Sequence, residues 1–145
     1  MFSPINLLVS AGVMSIAGVD ITSRIVSSSI TGICNIYTYL TSQTENASIN
    51  KYKDDIETLD IEVKLKYVEN ILSKEDNNMT DNFLREKIMD TTKNINNIIK
   101  KINIKIYNHQ QKYFHTWRTL DLDEDIKYLG KLMKILDERI KLYNY

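Results

Sequence analysis

The fold is decided by residues 5–40, which read INLLVSAGVMSIAGVDITSRIVSSSITGICNIYTYL. Large apolar side chains recur here at alternating steps of three and four residues, the spacing of a helix that packs along a seam. Only Gly12 and Ser23 interrupt this seam, and the only charges are Asp20 and Arg24, one helical turn apart. We therefore predict one long helix whose interaction residues are Ile5, Val9, Gly12, Ile16, Val19, Val26, Ile30, Ile33, Tyr37 and Leu40.

The first nineteen residues carry no charge and allow three interpretations. They are about long enough to span a membrane, or they form a signal peptide that ends near Ala17, or they begin a buried helix. The third interpretation is favoured because the seam continues past Asp20 and Arg24, beyond any bilayer. Small residues spaced four apart, such as Ser28 and Gly32, let helices approach closely. We expect self-association through this helix, with membrane contact as the alternative.

Composition indicates one folded domain of 145 residues, because 43% of the chain is hydrophobic and 26% is charged. Four glycines and one proline leave few turns, which favours long helices. The formal net charge is zero, so no overall field attracts nucleic acid or an anionic membrane. Cys34 is the single cysteine, which excludes an internal disulfide. We expect it to be a small buried residue.

Helical periodicity resumes after a polar break at residues 41–48 and continues to the end of the chain. One apolar stripe runs from Ile49 to Val63 and resumes, after a shift, from Leu65 to Leu72. A loop is predicted at residues 73–81, a long helix from about Asn82 to Arg118, and a last helix after an acidic start at residues 121–124. The predicted fold is an all-α bundle of about four helices, the first and third long and coiled-coil-like. We divide it into residues 1–44 and a charged bundle at 45–145.

No catalytic or metal-binding motif is found in the sequence. His109 and His115 are six residues apart, and neither has a carboxylate three or four residues away. Residues 121–132 begin like a calcium-binding loop, but Ile126 and Leu132 replace the required Gly and Glu. There is no glycine-rich phosphate loop. We therefore predict no catalytic residues, no metal ligands, no cofactor and no enzymatic activity.

A basic interval offers the best candidate for a binding surface, because no acidic residue occurs between Asp90 and Asp121. Aromatic residues such as Tyr107 and Trp117 interleave with its cations, as in surfaces that bind nucleic acid or anionic lipid. The helical segment predicted at residues 49–72, which we call the acidic second helix, has mostly acidic side chains such as Asp54 and Glu57 at its exposed positions. It offers an internal counterpart, and we expect the cations to be solvated or paired within the bundle. The candidate anion-binding residues are Lys93, Lys100, Lys101, Lys105, Lys112 and Arg118.

These patterns together predict a non-enzymatic structural or interaction protein of helical-bundle type. Its expected partner is a second copy or another helical protein, and its N-terminal helix makes that contact or touches a membrane. The alternative is a module that binds nucleic acid or anionic lipid through residues 91–120. Abundant Ile, Asn and Lys are typical of an AT-rich genome, such as that of a virus or a parasite. An intracellular, membrane-associated or virion location is expected rather than secretion.

Overall fold

The computed structural model describes the backbone of residues 18–43, 47–73, 79–112 and 119–144, with side chains from residue 21 in the first range and residue 82 in the third. This part of the chain contains five helices and no strand, which confirms the all-α prediction. The helices are α1 (Gly18–Ser42), α2 (Ala47–Leu59), α3 (Ile61–Leu72), α4 (Met79–Gln111) and α5 (Asp123–Asn144). Because α2 and α3 are separated by one residue, they fill one position of a four-position bundle.

The junction between α2 and α3 is Asp60, which adopts a left-handed conformation with φ 50° and ψ 46°. Aspartate is one of the few residues other than glycine that tolerates this region. Its backbone carbonyl accepts a hydrogen bond from the Lys64 amide at 3.2 Å, so α3 begins immediately. The break realigns the apolar stripe, in agreement with the shift in the sequence. Val63, which we predicted on the buried stripe, is instead 61% exposed.

Side-chain contacts show that α1 lies parallel to α4. The Ser29 hydroxyl reaches Asn96 Oδ1 at 2.9 Å, and farther along both helices Asn103 Nδ2 donates to the Gly32 carbonyl at 3.1 Å. Both contacts advance in the same direction along the two helices. The pairing joins segments far apart in the sequence, so the bundle is not a simple series of hairpins.

The combined α2–α3 segment lies parallel to α5, as two contacts at different levels show. The Tyr52 hydroxyl accepts a hydrogen bond from the Leu122 amide at 3.2 Å, and Lys64 Nζ contacts Asp137 Oδ2 at 3.0 Å. Helix α1 packs against α2, α3 and α4, and α5 packs against α4 and α2. The contact between α3 and α4 is smaller, and there the Arg85 guanidinium donates to the carbonyls of Ile71 and Leu72 at the end of α3. Apart from this end contact, the α2–α3 segment and α4 occupy diagonally opposite positions in the bundle, and their outer faces point to opposite sides.

Helix α1 buries a line that is rotated from the predicted seam. Ser23, Ile30 and Tyr37 of that seam are only partly buried. The rotation brings Gly32 against α4, where a Cβ atom would lie 2.5 Å from Ile99 Cγ2. Close approach of α1 to α4 therefore decides which face of α1 is inside. The buried line consists of Thr22, Val26, Ser29, Ile33, Ile36 and Leu40.

Helix α4 buries one continuous stripe against α1 and α5. It begins at Met79, inside the predicted loop, and its assigned end is Gln111. The predicted extension through residues 113–118 lies outside the described residues. The segment from Ile102 to Ile106, which alternates like a strand in sequence, is helical as predicted. The buried stripe consists of Ile88, Thr92, Ile95, Ile99, Ile102, Ile106 and His109.

Candidate interaction surface

The predicted interaction residues of the first helix divide into two groups. Those with described side chains belong mainly to the protein's own core: Val26, Ile33 and Leu40 are buried, and Ile30 and Tyr37 are partly buried. The rest, Ile5, Val9, Gly12 and Ile16 with the Val19 side chain, lie outside the described residues. Partner contact through this second group stays a prediction, and so does the division of the chain at residue 44.

The outer face of α1 is polar and built from small side chains. Arg24, Ser27, Ser28 and Thr31 are exposed and line a shallow depression. Cys34 is exposed as well, which corrects the prediction that it is buried. Ile33 and Ile36 point toward the core, and Cys34, which follows Ile33 in the sequence, is turned to the outer side of the helix.

Two lysines of the basic interval turn toward α5 rather than toward the acidic second helix. Lys101 Nζ lies 3.4 Å from Asp125 Oδ1, and Lys105 Nζ lies 2.5 Å from Asp125 Oδ2. The Asp125 side chain is only 4% exposed, whereas the two lysine side chains are 61% and 41% exposed. Asp125 Oδ2 has no partner in hydrogen-bond geometry, and its short contact with Lys105 is an ion pair. These two lysines are therefore paired within the bundle, but their partner lies on α5 and not on the acidic second helix.

The location of Asp125 in the first turn of α5 explains how a carboxylate is kept at this buried position. Asp123 and Glu124 share that turn, and acidic groups there interact favourably with the positive end of the helix dipole. Asp121 Oδ1 also accepts a hydrogen bond from the Asp123 amide at 3.0 Å. The acidic start of the last helix predicted from the sequence is present.

Opposite the buried stripe, α4 carries an exposed stripe with the same alternation of four- and three-residue steps. At its centre Ile104 and Tyr107 are 59% and 62% exposed, one turn apart. Lys112 beside the stripe is also exposed, and Arg118 lies outside the described residues. Within residues 91–112 the sequence contains no acid. We call this surface the outer α4 stripe; its residues are Lys93, Asn97, Lys100, Ile104, Tyr107 and Gln111, all exposed.

A second pair of exposed apolar side chains lies on α3. Val63 and Tyr67 are 61% and 42% exposed and are also one turn apart. The Tyr67 hydroxyl accepts a hydrogen bond from Asn144 Nδ2 at 2.7 Å. One nearby cation, Lys66, lies 3.5 Å from Glu62. We call this surface the acidic α3 face; it consists of Asp60, Glu62, Val63, Tyr67 and Glu69.

Sequence reasoning named Tyr107 but missed Ile104, Val63 and Tyr67 as surface residues. Ile104 could have been found, because it lies outside the heptad pattern formed by Ile102 and Ile106. The exposure of Val63 could not have been predicted, because it depends on the break between α2 and α3 at Asp60.

Three further findings concern metals, membranes and known proteins. Among the described residues, no group of three His, Cys, Asp or Glu side chains is placed to hold a metal ion. None of the helices described is both long enough and apolar enough to cross a membrane. No family model matches the chain, and no curated protein or solved structure shows significant similarity to it.

Proposed function

We propose that the protein is a non-enzymatic structural or interaction protein whose outer α4 stripe docks a protein partner. The carrying observation is the exposure of Ile104 and Tyr107, one turn apart on a helix that buries its opposite face. Anchors at this spacing are typical of helices that bind in a groove or against another helix. Tyrosine is enriched at protein interfaces because its ring is apolar and its hydroxyl can still bond.

The N-terminal residues remain part of this proposal. Residues 1–17 are uncharged and rich in apolar and small side chains, so self-association or membrane contact through them is expected. This contact is proposed separately from docking by the outer α4 stripe, because it uses different residues.

Anion binding through the basic interval is the second candidate. It is favoured by exposed Lys93 and Lys112 in an interval without acids. The engagement of Lys101 and Lys105 with Asp125 argues against it, because two of the six cations already have an acidic partner. Nucleic-acid binding depends on cations that neutralise phosphates. We therefore place protein docking first.

Photo-cross-linking tests this proposal. Benzoylphenylalanine replaces Tyr107 in the full chain, and in a matched control it replaces Phe83, an exposed aromatic residue near the start of α4, before the acid-free interval. We expect protein adducts from position 107 at a yield well above that from position 83. Adducts with nucleic acid alone would favour the second candidate, and no specific adduct from position 107 would overturn the proposal.

A further inference from the structure

We infer that the outer α4 stripe docks the acidic α3 face of a second copy of this chain, an inference that rests on the docking function proposed above. The two surfaces have matching apolar anchors and opposite charges, and they lie on opposite sides of the bundle.

The apolar anchors match in number and are similarly spaced, three residues apart on α4 and four residues apart on α3. Each surface presents two large side chains one helical turn apart: Ile104 with Tyr107 on α4, and Val63 with Tyr67 on α3. Laid side by side, two such pairs can interdigitate as facing helices do. Burial of both pairs removes from water apolar area that the isolated chain leaves exposed.

The charges around the anchors are opposite. The outer α4 stripe carries Lys93 and Lys100 and no acid, while the acidic α3 face carries three carboxylates around its anchors. The exposed Lys66 pairs with one of them, Glu62, so the α3 face keeps a negative balance. Residues 47–73 as a whole hold six acidic side chains against four lysines. Opposite charges favour contact between unlike surfaces, and two copies of the same stripe would repel each other.

The location of the surfaces sets the kind of assembly. Because the α2–α3 segment and α4 lie diagonally opposite, their outer faces point to opposite sides of the bundle. One copy can therefore use its α4 stripe toward one neighbour and its α3 face toward another. A contact between unlike surfaces that are not related by a twofold axis produces a ring or an open chain of copies.

Complementary serine variants test this inference with the full chain. Ile104→Ser/Tyr107→Ser removes the anchors of α4, and Val63→Ser/Tyr67→Ser removes those of α3. Phe83→Ser/Leu142→Ser is the matched control, since it changes two equally exposed side chains elsewhere. Circular dichroism checks that each variant is folded, and sedimentation velocity measures mass against concentration.

We expect the wild type and the control to grow beyond dimers with rising concentration and to dissociate at high salt. Each surface variant alone should lose this growth with concentration and keep only the mass that any contact through residues 1–17 gives it. An equimolar mixture of the two should be heavier than either variant alone, because it contains one intact pair of surfaces. A mixture that keeps the mass of the single variants, or surface variants that assemble as the wild type does, would overturn the inference. If position 107 cross-links a different protein and the wild type assembles no further than the surface variants, the docking function stands and the second copy is excluded.

Discussion

Gly32 on α1 lies against Ile99 on α4 so closely that a Cβ atom on the glycine would come within 2.5 Å of Ile99 Cγ2. At the same level, Asn103 Nδ2 donates to the carbonyls of Gly32 and Ile99, at 3.1 Å each. Absence of a side chain at one position thus permits both the close packing and the hydrogen bond between helices.

Replacing Gly32 with alanine should therefore destabilise the protein, by about 1–2 kcal/mol, because the clash with Ile99 outweighs the better helix propensity of alanine. Gly130→Ala is the control: its Cβ would meet Leu59 Cδ2 at 3.8 Å, an ordinary contact. That change should stabilise by about 0.5–1 kcal/mol. Urea unfolding of both variants measures the difference. Equal effects of the two substitutions would contradict the close approach.

The buried hydrogen bond between Ser29 and Asn96 should be worth more than its surface equivalents. Ser29→Ala leaves the Asn96 amide, which is 6% exposed, without this partner, at a cost of about 1–3 kcal/mol. The exposed neighbour Ser28→Ala should change stability by less than about 0.5 kcal/mol. In a double-mutant cycle, Asn96→Leu combined with Ser29→Ala should cost less than the sum of the single changes. Strict additivity would show that the two side chains do not interact.

The ion pair between Lys105 and Asp125 should contribute more than that between Lys101 and Asp125. Lys105→Met leaves a buried carboxylate with its closer cation removed, at an expected cost of about 1–3 kcal/mol, reduced by the exposure of the lysine. Lys101→Met, at the longer distance, should cost less than about 1 kcal/mol. Lys93→Met is the exposed control and should stay within about 0.5 kcal/mol of the wild type. Thermal unfolding ranks the three, and a different order would argue against the arrangement around Asp125.

The effect of an Asp60 substitution on stability should depend only on how well the new residue adopts the left-handed backbone conformation. Asp60→Gly should preserve stability or raise it by up to about 1 kcal/mol, because glycine adopts a positive φ freely. Asp60→Val should lower it by about 1–2 kcal/mol. The control is Asp54→Gly, at a regular position in α2, which should destabilise by about 1 kcal/mol. Chemical denaturation measures all three; loss of stability in Asp60→Gly equal to that in Asp54→Gly would exclude the left-handed junction.

Alkaline pH should reveal the burial of Tyr52. Burial raises the pKa of its hydroxyl above the ordinary value of 10.0. The folded state then holds the proton more tightly than the unfolded state. The resulting stability is therefore present below about pH 10 and is lost as pH rises through the folded pKa. The Tyr52→Phe variant has no hydroxyl to titrate at this position and therefore lacks this pH dependence. The difference in free energy of unfolding between wild type and variant should change between about pH 9 and pH 11. A difference in free energy of unfolding that stays constant over this pH range would contradict the prediction.

The sequence predicted the helices better than it predicted their faces. Apolar spacing identified α1 and three of its buried residues, Val26, Ile33 and Leu40. At the alternate positions it chose residues 23, 30 and 37, each one residue after the buried residues 22, 29 and 36, two of which are polar. The information that decides the rotation lies in α4, where Ile99 faces Gly32 and Asn96 meets Ser29. A pattern within one helix contains no information about such distant partners.

The candidate surface shows the same division between local and distant information. The acid-free interval and Tyr107 are evident in the sequence, and Ile104 lies visibly off the buried stripe of α4. That Lys101 and Lys105 are occupied by Asp125 could not be predicted, because α5 reaches them only through the tertiary packing of the bundle. Exposure of Val63 also depends on the break at Asp60, since a continuous helix would have turned that residue inward.

The parallel pairing of α1 with α4 has a consequence for synthesis on the ribosome. Ser29 and Asn96 are 67 residues apart, so at ordinary elongation rates about 3–13 s separate their emergence from the ribosome. During that interval the Ser29 side of α1 has no native partner, although α2 and then α3 can pack beside it as they emerge. The nascent chain therefore passes through a stage in which a helical hairpin exposes the surface of α1 that α4 later buries. A chaperone that binds apolar helices would bind the chain at this stage, before Asn96 has emerged.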